Sequence, residues 1–345
     1  MHNDYLKAVG ERVDQLVSLD VPSRNVISIL YPLARKKSKE AMCMSAAVML
    51  KEKVKPGDVV FIATGWPDRP HITPEIAETD GPPGAAALAR AIHRGLGAVP
   101  FIIIEESLVK GMEKVLQAAG FRTLSPEQAI ACYSSHAPIH GGAVLPFPCD
   151  IEEAKDKSKE LIAAYRPSAV ISVEKGGMND KGKIHTSRGA ETTEYMAKAD
   201  YLIMEAKKNN TLTIGVGDGG NEIGMGVIEK EIKKAIKYGE KCNCGCGGGI
   251  APSTVTDILI TAAISNWGAY GIAACLAAIE RKIDVLHNAA IEKRILTEVG
   301  NASFIDGITG YVDYSADGLD MTIHQSFVTL LNEIVKQAIR SFKVE

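Results

Sequence analysis

The chain has 345 residues, of which 46% are hydrophobic and 23% are charged. This composition is typical of a globular protein with a sizeable core, and it excludes an intrinsically disordered chain. The 39 Lys and Arg residues and 42 Asp and Glu residues give a formal net charge of -3. That balance excludes a broad electrostatic attraction to nucleic acid or to an anionic membrane.

Hydrophobic periodicity and turn residues predict helices that alternate with short apolar strands. In chain order, the predicted helices cover residues 9–19, 38–52, 85–95, 107–119, 151–165, 190–199, 228–238, 254–279, 289–299 and 325–342. The predicted strands cover residues 59–63, 98–104, 143–145, 169–173 and 212–216. Strands separated by helices of this length predict an α/β fold, in which a mostly parallel sheet carries helices on both faces. We expect a helical segment, residues 1–55, to pack on an α/β domain, residues 56–345.

The compartment is predicted from the beginning of the chain and from its cysteines. The first residues lack the basic and apolar regions of a secretory signal. The longest apolar run, around residues 258–278, is interrupted by Asn266, Gly268 and Gly271, so we interpret it as a buried helix rather than a membrane span. Seven mostly scattered cysteines favour a reducing environment. We therefore expect a cytoplasmic protein that has no membrane or nucleic-acid partner.

Three predicted strands are followed by acidic or glycine-rich loops, which cover residues 64–84, 174–189 and 217–226. Ligands bind beyond the carboxyl ends of the strands in an open parallel sheet. The segment 215–226 holds six glycines, whereas a simple turn needs only one or two. Its Asp218, Asn221 and Glu222 offer oxygen ligands that suit Mg²⁺, Mn²⁺ or Ca²⁺. The pattern matches neither a P-loop nor a dinucleotide-binding motif.

The other two loops each leave two interpretations open. Asp80 precedes a predicted helix whose free N–H groups favour an anion, so it is either a ligand or a helix cap. Glu174 stands directly at a strand end and is either a ligand or general base, or a salt-bridge partner. Asn266 lies in an apolar segment, needs hydrogen-bond partners, and is therefore a candidate pocket residue.

Cys242, Cys244 and Cys246 are closely spaced, as in part of a soft-metal site. The sequence offers neither a second Cys-x-x-Cys pair nor a histidine near them. We therefore interpret the segment as a loop with free thiols, and keep metal binding and a labile disulfide as alternatives.

Four motifs together resemble the D-glutamate cyclase family in its C-terminal-domain form. They are Glu78-Thr79-Asp80-Gly81-Pro82-Pro83-Gly84-Ala85, the glycine-rich motif at 217–226, Ser265-Asn266-Trp267-Gly268, and Asp306-Gly307-Ile308-Thr309-Gly310. The resemblance runs from about residue 40 to the end of the chain. It implies a hydro-lyase that converts D-glutamate to 5-oxo-D-proline and water, and it makes a divalent metal, Mn²⁺ or Mg²⁺, an expected cofactor.

On this resemblance we predict a metal-assisted acidic site. The predicted metal ligands are Asp80, Asp218 and Glu222. The predicted catalytic residues are Glu174, Asp218 and Glu222, with Glu174 as the acid/base. The predicted substrate-binding residues are Asp80, Gly81, Gly84, Arg188, Gly219, Gly220, Asn221 and Asn266, and the amides of the Gly81–Ala85 turn and Arg188 are expected to receive the α-carboxylate.

Two other functions fit the same residues. A divalent-metal-dependent hydrolase or phosphatase would use such an acidic site on a small phosphorylated metabolite. A sensor would bind a small molecule without turnover. In each case the partner is a small molecule, and we expect a homo-oligomer with the apolar C-terminal helix as its candidate interface.

Overall fold

The computed structural model describes residues 2–38, 40–134 and 139–341. The α-helices in these residues are α1 (His2–Val17), α2 (Ile27–Ser38), α3 (Met42–Lys53), α4 (Pro82–Leu96), α5 (Val109–Ala118), α6 (Pro126–Tyr133), α7 (Ile151–Tyr165), α8 (Asp200–Lys208), α9 (Glu229–Ala235), α10 (Ser265–Glu280), α11 (Ala289–Asn301) and α12 (Met321–Ser341). The strands are β1 (Val59–Ala63), β2 (Val99–Glu105), β3 (Arg122–Thr123), β4 (Gly141–Phe147), β5 (Ala169–Val173), β6 (Leu212–Gly217), β7 (Ile258–Thr261), β8 (Ser315–Ala316) and β9 (Leu319–Asp320).

Seven strands form one parallel sheet in the order β3-β4-β2-β1-β5-β6-β7. Successive side chains of a strand point to opposite faces, so each central strand contributes to two cores. Val60 and Ile62 pack in one core with residues of α4 and α10, whereas Phe61 packs in the other with residues of α7 and α8. The predicted α/β fold, with helices on both faces of a mostly parallel sheet, is confirmed.

The amino-terminal helices share the larger of these cores. Val13, Val17 and Cys43 are fully buried, and a Cβ at Gly271 of α10 would lie 2.7 Å from the Cys43 sulfur. The Asp14 carboxylate of α1 accepts hydrogen bonds from the first amides of α3, at 2.6 and 3.1 Å. The N-terminal helical segment therefore packs directly on the sheet's helices, while the domain boundary at residues 55 and 56 stays a prediction.

Two predicted helices are wrong. The first, residues 254–279, contains strand β7 and then α10, because the run Ile258–Thr261 pairs with β6 before the helix begins. The second, residues 190–199, forms a loop with one 3₁₀ turn, and Lys198 donates to the carbonyls of Thr193 and Met196 there. The predictions also missed α2, α6, α8, β3, β7, β8 and β9. Among the described helices, none combines the length and the apolar character needed to cross a membrane.

Candidate active site

The loops that follow β1, β5 and β6 meet at the carboxyl edge of the sheet. The chain passes from β1 to β2 on one side and from β5 to β6 on the other, so the boundary between β1 and β5 is a topological switch point. Ligands bind at such points in open α/β sheets. The three loops singled out in the sequence therefore converge where a ligand site is expected.

A cavity of about 590 Å³ opens among these loops. It is lined by six of the predicted site residues, which are Asp80, Glu174, Arg188, Asp218, Gly219 and Asn221. The other predicted site residues are not among its lining residues; these are Gly81, Gly84, Gly220, Glu222 and Asn266. The predicted site residues thus lie in or beside one cavity, but about half of them are not among the residues that line it.

Glu222 organises the glycine-rich loop from inside it. Its carboxylate accepts hydrogen bonds at 2.5–3.0 Å from the backbone amides of Asp218, Gly219, Gly220 and Asn221. A Cβ at Gly217 would lie 2.8 Å from the Glu222 Oε2 atom, so a larger residue there would prevent the loop from closing. Both oxygens of this predicted metal ligand are therefore already engaged by the backbone.

Asp80 and Asn266 cap each other's helices. The Asp80 carboxylate accepts hydrogen bonds from the Ser265 and Asn266 amides of α10, at 3.0 and 2.8 Å. The Asn266 Oδ1 atom accepts hydrogen bonds from the amides of Gly81 and Gly84 at the start of α4, at 3.0 and 2.6 Å. Asp80 thus caps α10 and not the helix that follows it. The amides that the sequence analysis assigns to a substrate carboxylate have an internal partner.

Arg24 and Asp317 belong to the same site, although neither is predicted from the sequence. Arg24 lies 2.7 Å from Asp218 Oδ2 and 2.8 Å from Asp317 Oδ2, and all three residues line the cavity. No local motif distinguishes Arg24, which lies between α1 and α2. Asp317 stands in an Asp-Gly turn and has a φ of 54°, so its sequence signal is that of an ordinary turn.

The buried carboxylates share a strongly anionic environment. Burial, followed by the charge of Asp218, raises the pKa of Asp80, Glu174 and Asp317 well above their usual ranges. The same two causes raise the pKa of Glu222 to about 7, against the opposing effect of its amide donors. Carboxyl groups in such surroundings either hold protons near neutral pH or require a bound cation.

Glu174 is fixed by backbone and side-chain contacts. It follows β5 with a φ of 46°, it is only 6% exposed, and it accepts a hydrogen bond from the Ser265 hydroxyl. Non-glycine residues with positive φ are uncommon and often mark functional positions. Glu174 therefore presents a buried carboxyl group of raised pKa to the cavity, and it forms no salt bridge with any residue that the structure describes.

Asn221 and two arginines add polar groups to the cavity. The Asn221 Nδ2 atom donates to the His185 carbonyl at 2.9 Å, while its Oδ1 atom is buried and has no hydrogen-bond partner among the described residues. Arg188 lines the cavity from the loop after β5 and is exposed to solvent. Arg69, which the sequence analysis missed, lines it from the loop after β1 and pairs with Asp68.

Among the described residues, three groups of side chains have the composition and spacing to hold a metal ion. Two are acidic and share Asp218; they are Asp80 with Asp218 and Asp317, and Glu174 with Asp218 and Glu222. The predicted set of Asp80, Asp218 and Glu222 is thus divided between them. The third group joins His185 to Cys242, Cys244 and Cys246. No sequence pattern links this histidine to the cysteines, because His185 lies 59 positions before Cys244 in the chain.

Comparison with known proteins identifies the family. The family described as D-glutamate cyclase-like, C-terminal, matches residues 13–332. The chain belongs to this family. A relative named D-glutamate cyclase, mitochondrial, from Homo sapiens, is 28% identical over 253 residues, which are 72% of this chain and 36% of that protein. The chain therefore spans about a third of that relative's length.

The family match confirms the resemblance that the motifs indicate. The phosphatase alternative is not favoured by this match. The reaction, the identity of any metal, the homo-oligomer and the cytoplasmic location stay predictions.

Proposed function

We propose that this chain catalyses the dehydrative cyclisation of D-glutamate to 5-oxo-D-proline. The observation that carries the proposal is the cavity at the switch point, whose lining combines buried carboxyl groups of raised pKa with Arg188 and with Asn221, whose Oδ1 atom has no partner among the described residues. Such a site can receive a substrate with one ammonium and two carboxylate groups. The family match makes D-glutamate the first substrate to test.

The reaction requires proton transfer between two substrate groups. The substrate nitrogen forms a bond to the γ-carboxylate carbon, and one C–O bond of that carboxylate breaks. The ammonium group loses two protons, and both leave in the water that carries away the oxygen. A single acid/base group close to both atoms can accept a proton from nitrogen and deliver it to the leaving oxygen.

Glu174 is the proposed acid/base group. Burial and the charge of Asp218 raise the pKa of its carboxyl group well above the usual range for glutamate, which favours the protonated form that can deliver a proton. The Ser265 hydroxyl and the rigid end of β5 hold it in place. This fixed position favours transfer to and from a bound substrate over transfer to water.

Asn221 and Arg188 are proposed to orient the substrate. The unpaired Asn221 Oδ1 atom is suited to accept a hydrogen bond from the substrate nitrogen. Arg188 can form a bidentate pair with the α-carboxylate at the exposed side of the cavity. Gly219 lets this loop approach closely, since a Cβ there would lie 2.5 Å from Asn221 Oδ1.

A divalent metal fits one acidic group better than the other. Asp80, Asp218 and Asp317 bring carboxylate oxygens within 4.8 Å of one another, and only Arg24 balances their three negative charges through direct contact among the described residues. Two negative charges remain, which equals the charge of one Mn²⁺ or Mg²⁺ ion. The other acidic group carries the same three charges, but both oxygens of its Glu222 already accept hydrogen bonds from backbone amides, so we propose Asp317 in place of Glu222 as the third ligand. A metal bound there would supply Lewis-acid polarisation of the γ-carboxylate.

The test is incubation of the full chain with D- or L-glutamate, with and without a chelator, followed by chiral chromatography of 5-oxoproline. We expect 5-oxo-D-proline from D-glutamate, and much less product in the Asp218→Asn variant. The control is Asp284→Asn, which alters an exposed carboxylate paired with Arg94 outside the cavity. Full activity of Asp218→Asn would contradict the proposed site. Release of phosphate from phosphorylated metabolites, or ligand binding without turnover, would contradict the proposed reaction.

A further inference from the structure

Four side chains with soft or borderline metal-binding atoms meet outside the active-site cavity. The Cys242 sulfur lies 3.1 Å from the Cys244 sulfur and 3.4 Å from the Cys246 sulfur. The His185 Nε2 atom lies 3.2 Å from the Cys244 sulfur and 3.8 Å from the Cys246 sulfur. Fifty-nine residues of chain separate His185 from Cys244, so the fold and not a local motif brings them together.

We propose that these four residues form a structural zinc site. Three thiolates and one imidazole are a common tetrahedral ligand set for Zn²⁺. Zinc–ligand bonds of about 2.0–2.3 Å place neighbouring ligand atoms about 3.3–3.8 Å apart in a tetrahedron. The observed separations of 3.1–3.8 Å require only small outward shifts to reach that geometry. Four protein ligands complete the coordination, so the site is structural rather than catalytic.

The composition of the loop explains why it needs such an anchor. Residues 239–249 comprise five glycines, three cysteines and three polar residues, with no aliphatic or aromatic side chain. Ordering each residue costs about 1–2 kcal/mol of backbone entropy, and more for glycine. Hydrophobic burial within this segment cannot offset that cost, because the cysteines are its only weakly apolar side chains. The free energy of binding a metal ion to all three cysteines would offset the entropy cost.

The Cys246 sulfur has hydrogen-bond donors beside it. The Gly248 amide donates to the Cys246 sulfur at 3.4 Å, and the Asn179 Nδ2 atom lies 3.8 Å from the same sulfur. The Asn179 Nδ2 atom also donates to the Gly249 carbonyl at 2.8 Å, which fixes the end of the cysteine loop. Donors of this kind typically surround metal-bound thiolates and orient them.

The zinc site would stabilise one wall of the active-site cavity. The Asn243 amide donates to the Gly189 carbonyl, and the Asn243 side chain donates to the Arg188 carbonyl, both at 3.1 Å. The His185 carbonyl accepts the hydrogen bond from Asn221. The cysteine loop therefore contacts the segment 185–189 at two places. Cys244 contacts His185 at one end of the segment, and Asn243 contacts Arg188 and Gly189 at the other end. This role in the cavity rests on the proposed function, whereas zinc binding does not.

Zinc content of the full chain tests the proposal directly. Protein purified without chelator under reducing conditions is expected to contain about one zinc ion per chain by mass spectrometry of the metal. The Cys244→Ser variant should lose most of that zinc. The matched control is Cys149→Ser, which removes a half-buried cysteine outside the cluster and should keep the full zinc content.

Two measurements on the unmodified chain keep the test independent of variant folding. Replacement of zinc by Co²⁺ should give thiolate-to-cobalt charge-transfer absorption and the visible bands of tetrahedral cobalt. Alkylation of the native protein should spare Cys242, Cys244 and Cys246 until a strong chelator is added. A chain that binds no zinc, that binds iron instead, or that contains a disulfide between two of these cysteines under reducing conditions would overturn the proposal.

The zinc site and the cyclase site can fail separately. Asp218→Asn should abolish turnover of D-glutamate but keep the zinc, because Asp218 does not belong to the cysteine group. Zinc content therefore reports on the cysteine loop whether or not D-glutamate is the substrate. Loss of zinc in Asp218→Asn, with full retention in Cys244→Ser, would assign the metal to the acidic site and overturn the inference.

Discussion

Replacement of Asn266 by alanine should destabilise the chain by about 3 kcal/mol. Asn266 is fully buried, and its Oδ1 atom accepts hydrogen bonds from the amides of Gly81 and Gly84. A helix N-cap contributes about 1 kcal/mol, and a buried N–H group left without a partner costs about 1–3 kcal/mol. The variant loses the cap of α4 and leaves the buried Gly84 amide without its partner, whereas the Gly81 amide keeps the Asp80 carboxylate at 3.1 Å.

Asn288 provides a control with the same chemistry at the surface. Its Oδ1 atom accepts hydrogen bonds from the amides of Ala290 and Ile291 at the start of α11, but the residue is exposed. Asn288→Ala should therefore cost only about 1 kcal/mol, because water can hydrate the released amides. Equilibrium urea unfolding, followed by circular dichroism, measures both losses. Equal losses in the two variants would refute the argument that burial makes the Asn266 cap more important.

Three further predictions use the same unfolding assay. Gly81→Ala should destabilise the chain more than Gly182→Ala. Both glycines have positive φ, but only a methyl group at position 81 would lie 2.9 Å from other side chains. Equal losses of stability in the two variants would contradict this. Lys175→Met should cost about 3–5 kcal/mol by leaving Glu105 unpaired in the interior, and the double variant Lys175→Met/Glu105→Leu should lose less. In metal-free protein, stability should fall as pH rises from about 4.5 to about 7, because folded Glu222 retains its proton over that range; a rise in the urea midpoint would contradict this.

The sheet could be predicted because its strands carry a strong local signal. Residues 59–63 and 169–173 are short apolar runs bounded by turns, and both form strands with those bounds. The segment 254–279 is predicted as one helix because the residues of its strand and of its helix are both predominantly apolar. Periodicity cannot separate a buried strand from a buried helix in such a run, and only the pairing of β7 with β6 does so.

The candidate site was predictable where its residues follow strands directly. Asp80, Glu174 and Asp218 stand in strand-end loops, and the parallel topology brings such loops together. Arg24 and Asp317 carry no comparable signal, because neither follows a strand of the large sheet. Their contact joins residues 293 positions apart, and it depends on how the amino-terminal helices pack. Long-range ion pairs of this kind follow from the tertiary structure and not from a motif.

The contact between α4 and α10 also changes how a substrate anion would be bound. A helix N-terminus attracts anions only while its amides are free. At α4, Asn266 already satisfies two of them from a position more than 180 residues later in the chain. Under the proposed function, the α-carboxylate must then be neutralised by a side chain that reaches the cavity from another loop. Arg188 meets that requirement, because it is a cavity-lining guanidinium to which no described carboxylate lies within ion-pair distance.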